Sequence, residues 1–313
     1  MKALGIVVAV LLLLVVAFAM FFLKISIYKR VVGVSETAYR EKMLPAYADA
    51  LAWFDALRTQ QKVEDRYFTN EEGLRLHAYF IPCENAVGNV VLLHGYSGCA
   101  IQTAPHAKMY FEKFHYNVVM VDHRAHAGSE GKVINMGWKE RLDVLRWVEL
   151  ANEAFGNGSL PMMLHGLSMG GACVLMCAEH GLPSYVKALV DDSGFSSAYE
   201  EFAYEMRTKM HLPPFLLLDA ASLLCKIKEG WSFKEASSIR TLGAVKTPLL
   251  IIHGNADTRV PLTEGVKIMT AKKEQVDFWE VDGGTHIQAI SQQPERYAET
   301  VSSFLERAKM SEG

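Results

Sequence analysis

The stretch Leu164-His165-Gly166-Leu167-Ser168-Met169-Gly170-Gly171 constrains the fold more than any other part of the chain. It joins an apolar run at 161–164, which reads as a buried strand, to a run of small apolar residues at 172–178, which reads as a tightly packed helix. A strand that turns so sharply into a helix forces the residue at the bend into a strained backbone conformation. Glycines two residues before and after it remove the Cβ clashes that the bend creates. The Ser168 hydroxyl then stands above the sheet edge. The helix beginning at Met169 aims its free N–H groups and positive dipole end at the place where negative charge would develop. A serine presented in this way is predicted to be a nucleophile.

Partners for it follow in order along the chain. The apolar run 248–252 leads through His253-Gly254 to Asn255-Ala256-Asp257-Thr258-Arg259-Val260-Pro261, and the run 277–281 leads to Asp282-Gly283-Gly284-Thr285-His286. The order Ser168, Asp257, His286 is that of a Ser-His-Asp triad on a doubly wound sheet. His286 would act as general base and then general acid, while Asp257 fixes its tautomer and stabilises the imidazolium. Each residue falls at the carboxyl end of an expected strand, where open α/β sheets place their chemistry. Asp191 and Asp192 are the other carboxylates in a position to serve, but the residues flanking Asp257 favour Asp257.

Upstream, the apolar run 89–93 leads into His94-Gly95-Tyr96-Ser97-Gly98, whose glycines let the loop approach a substrate closely. The backbone amides of Tyr96 and Met169 are the expected oxyanion donors. His94 reads as a structural hydrogen-bonding residue, since the triad already has its imidazole. Asp122, His123 and His126 lie close together in sequence, yet their spacing matches no zinc pattern. The carboxylate and Arg124 are instead expected to lock a turn, and neither a metal nor a cofactor is expected.

These motifs resemble those of serine α/β-hydrolases, specifically the membrane-anchored bacterial cell-surface hydrolases related to the prolyl-oligopeptidase-like group. The resemblance rests on Glu72-Gly73-Leu74-Arg75-Leu76-His77-Ala78-Tyr79, on His94 to Gly98, and on Asp122-His123-Arg124-Ala125-His126-Ala127-Gly128-Ser129. It continues through Gly166-Leu167-Ser168-Met169-Gly170 and the segments 253–261 and 284–286, and covers residues 62–308. It implies the α/β-hydrolase fold, with a mostly parallel doubly wound sheet and a helical cap, and it implies the triad; it says little about the substrate. That group often carries two glycines in the turn where this chain has Ala125 and Ala127, which leaves the shape of that turn open.

Half of the 313 residues are apolar, ample for the core of a single α/β domain of ~250 residues. A formal net charge of −3, with no basic patch, gives no electrostatic reason to expect nucleic acid as a partner. The five cysteines have neither disulfide-framework nor zinc spacing, and Cys173 and Cys177, one helical turn apart, read as small buried apolar residues.

The amino terminus faces a different solvent. From Ala3 to Leu23 no residue is charged for 21 positions, enough for a helix to cross a hydrocarbon core about 30 Å thick. Residues 1–30 read as a transmembrane anchor with its flank rather than a cleaved signal peptide, because the apolar run continues past Ala17-Phe18-Ala19. Lys24, Lys29 and Arg30 against Lys2 favour a cytoplasmic domain by charge counting, whereas the resemblance implies an extracytoplasmic one. Residues 31–61 carry apolar side chains at Tyr39, Met43, Leu44, Tyr47, Leu51 and Phe54, interrupted by Pro45. This predicts an amphipathic linker helix lying on the membrane or on the catalytic domain, 62–313. A cap insertion is expected at 199–240, where Phe215, Leu216 and Leu217 would form one wall of an acyl pocket or simply pack on the core.

The expected activity is hydrolysis of carboxylic esters through an acyl-enzyme, carboxylesterase- or lipase-like, on a small-molecule ester. A serine exopeptidase acting on short peptides stays open, supported by the resemblance and by Glu200-Glu201, whose carboxylates suit a peptide amine. A third reading, a non-catalytic membrane-anchored binding protein, leaves the strained serine without a use. No triad or oxyanion residue precedes Tyr96, so the chain beyond Ser35 is expected to hydrolyse water-soluble esters without the anchor.

Overall fold

A computed structural model describes residues 1–28, 35–156, 158–240 and 242–310. In chain order the elements are α1 (Lys2–Ser26), α2 (Glu36–Thr59), β1 (Glu64–Thr69), β2 (Arg75–Ile81), β3 (Gly88–Leu93), α3 (Ala104–Glu112), β4 (Tyr116–Asp122), α4 (Glu140–Ala154), β5 (Met162–Leu167), α5 (Met169–Cys177) and β6 (Val186–Asp192). There follow α6 (Ala198–Thr208), α7 (Leu217–Glu229), β7 (Leu249–Gly254), α8 (Leu262–Lys272), β8 (Val276–Val281), α9 (Ala289–Gln292) and α10 (Pro294–Met310). The strands form one sheet in the order β1-β2-β4-β3-β5-β6-β7-β8. β2 is antiparallel to β1 and β4, and every other pairing is parallel. This is the α/β-hydrolase fold.

Burial explains why the central strands carry apolar runs rather than alternation. Every residue of β3, β4, β5 and β7 is buried, because helices cover both faces of the sheet. α2, α3 and α10 close one face around Phe54, Tyr110 and Tyr297. α4, α5 and α8 close the other around Trp147, with Cys173 and Cys177 fully buried there. A third core, above the carboxyl ends of the strands, holds α6, α7, Trp231 and Phe233, and it also takes in the last third of α1.

Of the two places open to the linker helix, α2 takes the domain. Tyr39, Leu51, Phe54 and Leu57 are buried in the core beside α3. Its axis breaks at Tyr47 (φ −130°, ψ 22°). The side chains of Met43 and Leu44, and Lys29 and Arg30 entirely, lie outside the described residues. α1 is exposed from Met1 to Leu14, but Ala19, Phe22, Leu23 and Ile27 are buried. The Ile134 amide donates to the Ile27 carbonyl at 2.8 Å, fastening the helix end to the domain.

Candidate active site

β5 ends at Leu167 and α5 begins at Met169, so the whole bend falls on Ser168, with φ 55° and ψ −117°. Only glycine fits around it. A Cβ on Gly166 would lie 2.1 Å from the Gly170 backbone, and one on Gly170 would lie 2.3 Å from the Leu93 carbonyl oxygen. The Ser168 amide donates to the Asp192 carbonyl at 2.8 Å, which ties the bend to the neighbouring strand.

The loops after β7 and β8 cross so tightly that a Cβ on Gly254 would meet the Gly284 carbonyl oxygen at 2.1 Å. That crossing brings Asp257 and His286 to the serine. His286 Nδ1 donates to Asp257 Oδ2 at 2.7 Å, and His286 Nε2 lies 3.0 Å from Ser168 Oγ. The other carboxylate oxygen of Asp257 accepts the amides of Arg259 (2.8 Å) and Val260 (3.0 Å). Burial alone would raise the Asp257 carboxyl. The His286 hydrogen bond and charge, with those amides, more than offset it and hold the carboxyl below its ordinary range.

Asp191 and Asp192 are used differently. The Asp192 carboxylate accepts hydroxyls from Tyr297 (2.8 Å) and Ser193 (3.0 Å) and does not reach His286. Burial pushes it up to about 6, and pushes Asp191 up to about 8. Among the described residues one cluster, His106, His165 and Asp192, brings three potential ligand atoms within 4.8 Å of one another. The His165 nitrogens face the hydroxyls of Tyr110 (2.9 Å) and Tyr297 (3.1 Å), whereas both His106 nitrogens are buried without a hydrogen-bond partner.

Gly95 comes so near the serine that a Cβ on it would lie 3.3 Å from Ser168 Cβ. Its carbonyl, in the same peptide unit as the Tyr96 N–H, accepts from His94 Nδ1 at 2.7 Å and from the Gly98 amide at 3.0 Å. His94 Nε2 in turn accepts the His123 amide at 3.1 Å, which fixes the tautomer. Burial, with His123 and His126 alongside, holds that imidazole neutral. His126 Nε2 donates to the Tyr96 carbonyl at 2.6 Å. Both peptide units around Tyr96 are thus pinned by imidazoles, and the Tyr96 and Met169 amides donate to no acceptor among the described residues.

Asp122 and Arg124 do lock the turn after β4, though with separate partners. Asp122 accepts the Ala100 and Gly128 amides, while Arg124 forks onto Asp143 at 2.6 and 2.8 Å and reaches Glu72 at 2.9 Å. Ala125 (φ 62°) and Ala127 (φ 36°) both sit in the left-handed region, a conformation that glycine adopts without cost.

A cavity of about 260 Å³ opens beside Ser168. Here the structure departs from the sequence reading. Phe215, Leu216 and Leu217 do not line it; Phe215 and Leu216 are exposed, and Leu217 packs beside the third core. They precede or begin α7, which packs along α1, so the insertion meets the cavity through α6 instead. The wall comes from Phe202 and Glu201 on α6, from Phe195, and from Phe22, Ile25 and Ser26 at the end of α1. The Tyr96 hydroxyl donates to the Ser26 carbonyl, and the rings of Phe22 and Phe202 meet edge to face at 5.5 Å. The residues at the end of α1 therefore line the cavity beside Ser168. No local signal in an uninterrupted apolar run marks them.

The paired glutamates part company. Glu200 reaches Lys267 at the surface (3.1 Å), whereas Glu201 is buried with Oε2 unpartnered. Burial first, then the charges of Glu205 and Glu264, push the Glu201 carboxyl up to about 8.

The chain and its fold are similar to those of known hydrolases. The sequence model of the prolyl oligopeptidase family matches residues 110–309. The uncharacterized protein YqkD of Bacillus subtilis is 24% identical over 234 residues, covering 75% of this chain and 76% of YqkD. The uncharacterized protein YfhR of Salmonella typhi is 28% identical over 272 residues, covering 80% and 84%. Among solved structures, the Pyrococcus furiosus esterase Pf2001 is similar with a TM-score of 0.64 at 25% identity, over 78% of this chain and 92% of that one.

Proposed function

Because the chain belongs to the prolyl oligopeptidase family and has the α/β-hydrolase fold, we propose that it is a serine hydrolase cleaving carboxylic esters through Ser168, His286 and Asp257. One observation carries the reading: a single imidazole bridges a strained serine hydroxyl at 3.0 Å and a buried carboxylate at 2.7 Å. Asp257 keeps the proton of His286 on Nδ1, so Nε2 is free to accept the Ser168 proton as Oγ attacks the ester carbonyl. The tetrahedral oxyanion is held by the Tyr96 and Met169 amides, which have no other acceptor among the described residues to give up. As the alkoxide leaves it takes the proton from His286. Water, losing its proton to the same nitrogen, then releases the acid and restores Ser168.

An exopeptidase reading draws support from the carboxylates of Glu201 and Glu205 at the cavity wall. Raised by burial, the Glu201 carboxyl in its neutral form also suits an ester, because it donates to a carbonyl or hydroxyl. A binding protein without turnover would have no use for the Ser168 conformation. α1 is retained as a membrane anchor on this reading, because its end supplies one wall of the cavity. A chain-length series of p-nitrophenyl esters, run beside aminoacyl-p-nitroanilides with the full-length protein, tests the assignment. Ester turnover with inert anilides is the expected result; the reverse would move the enzyme to the peptidases.

A further inference from the structure

The anchor helix is too deeply seated on the domain to cross a bilayer without drawing the domain in after it. The uncharged run of α1 is about 31 Å long at about 1.5 Å per residue, close to the thickness of a hydrocarbon core, about 30 Å. Yet only the part up to Leu14 stands wholly clear of protein, a length of about 18 Å from Ala3. The remaining ~12 Å of span must come from the segment that is already packed on the domain. Along that segment the inner face is buried at Ala19, Phe22 and Leu23, while the outer face shows Met20, Phe21 and Ile25, each 47–54% exposed.

The cap carries a matching surface. α7 packs alongside α1, and the hydroxyl of Tyr28 donates to Glu229, so the two helices end together. On α7, Leu223 and Ile227 are 62% and 72% exposed. Four residues apart, they share one helical face. Phe215 and Leu216, just before the helix, are 81% and 55% exposed. Lys24, Lys226 and Lys228 lie exposed in the last turns of the two helices, where amphipathic cations sit level with lipid headgroups. An apolar patch continuous with a membrane-length helix and edged by lysines has one occupant that fits it, a lipid leaflet.

We propose that the cap of this enzyme is immersed in the leaflet and that its substrate is a membrane-resident acyl ester, whose chain passes from the lipid past Phe22 and Ile25 to Ser168. Those two residues line the cavity one turn or less from Lys24, so the cavity opens near the boundary between hydrocarbon and headgroup. Ester carbonyls of glycerolipids lie at that level. The substrate class rests on the serine hydrolase reading; the immersion does not.

Two measurements on the full-length protein in phosphatidylcholine vesicles test it. The first places a bimane at residue 223 (Leu223→Cys) or at residue 84 (Glu84→Cys), at the opposite edge of the sheet, in a Cys83→Ser background whose other cysteines are buried. Brominated phosphatidylcholine should quench the first strongly and leave the second unchanged; a water-exposed signal at both overturns the immersion. The second uses Leu223→Glu/Ile227→Glu, remote from the cavity lining. Turnover of a palmitoyl ester held in the vesicles should fall about tenfold or more, with p-nitrophenyl acetate hydrolysis unchanged. Equal rates on the bilayer ester would overturn the substrate class. If residue 223 is quenched but the wild-type protein neither cleaves p-nitrophenyl acetate nor takes up a fluorophosphonate, the hydrolase reading fails and the immersion survives.

Discussion

The cavity has two walls built on different principles. On one side Ser168, Asp257 and His286 are held by main-chain hydrogen bonds and by glycines that no other residue can replace without a clash near 2 Å. On the other, Phe22, Phe195 and Phe202 pack without directional bonds, and the one buried acid has an oxygen with no partner. The first wall sets a geometry; the second sets a shape. Substitutions on the first should cost rate for every substrate alike, while those on the second should re-rank substrates.

The deepest test of that division is Ser168→Ala. It should lower ester turnover by on the order of 10⁶ and abolish fluorophosphonate labelling, with circular dichroism unchanged; a labelled variant would place the nucleophile elsewhere. Next in size, Asp257→Asn should cost on the order of 10⁴ in kcat for short and long esters equally. Asp192→Asn should act mainly on the denaturation midpoint, since its partners are Tyr297 and Ser193. A larger rate loss at Asp192 than at Asp257 would reassign the acid. On the shape-setting wall, Phe202→Ala should reduce kcat/KM for long-chain esters about tenfold more than for acetate, and a uniform loss on both would show that the two walls are not separable.

Smaller effects sharpen the contrast. The Glu201 carboxyl rises from an ordinary 4.5 to about 8 on folding, so between those values the unfolded chain gives up a proton that the folded chain keeps. Stability therefore falls as pH rises through that window. Glu201→Gln should lose less stability between pH 5 and 8 than the wild type does, read from urea midpoints; the raised acids Asp191 and Asp192 keep part of the slope. An unchanged slope would mean that Glu201 is not desolvated. Smallest of all, Ala127→Gly should gain about 1 kcal/mol by relieving the left-handed φ, seen as a rise in Tm without a change in turnover.

The same division decides how much the sequence reveals. The proposed triad residues and the proposed oxyanion donors, the Tyr96 and Met169 amides, sit in short motifs at strand ends, because each is governed by backbone geometry within a few residues of itself. The sheet is legible for a similar reason, since strands buried on both faces write continuous apolar runs. The cavity wall escapes because Phe22, Phe195 and Phe202 come together only through tertiary packing, and an exposed Phe215 and a buried Phe202 look alike in sequence. α1 adds a masking effect, its lining residues being apolar in a segment that lipid alone would explain.

The seating of α1 has a consequence for biosynthesis. Phe22 emerges from the ribosome about 210 residues before Phe233, its neighbour in the third core, an interval of about 10–40 s at ordinary translation speeds. Tyr96 and Ile134, which bond the Ser26 and Ile27 carbonyls, follow Phe22 sooner, but Phe202 and Phe233, its aromatic partners in the cap, come late. The cavity can close only when the last of the cap folds back onto the end of α1. A nascent chain is then a silent one until the cap is in place.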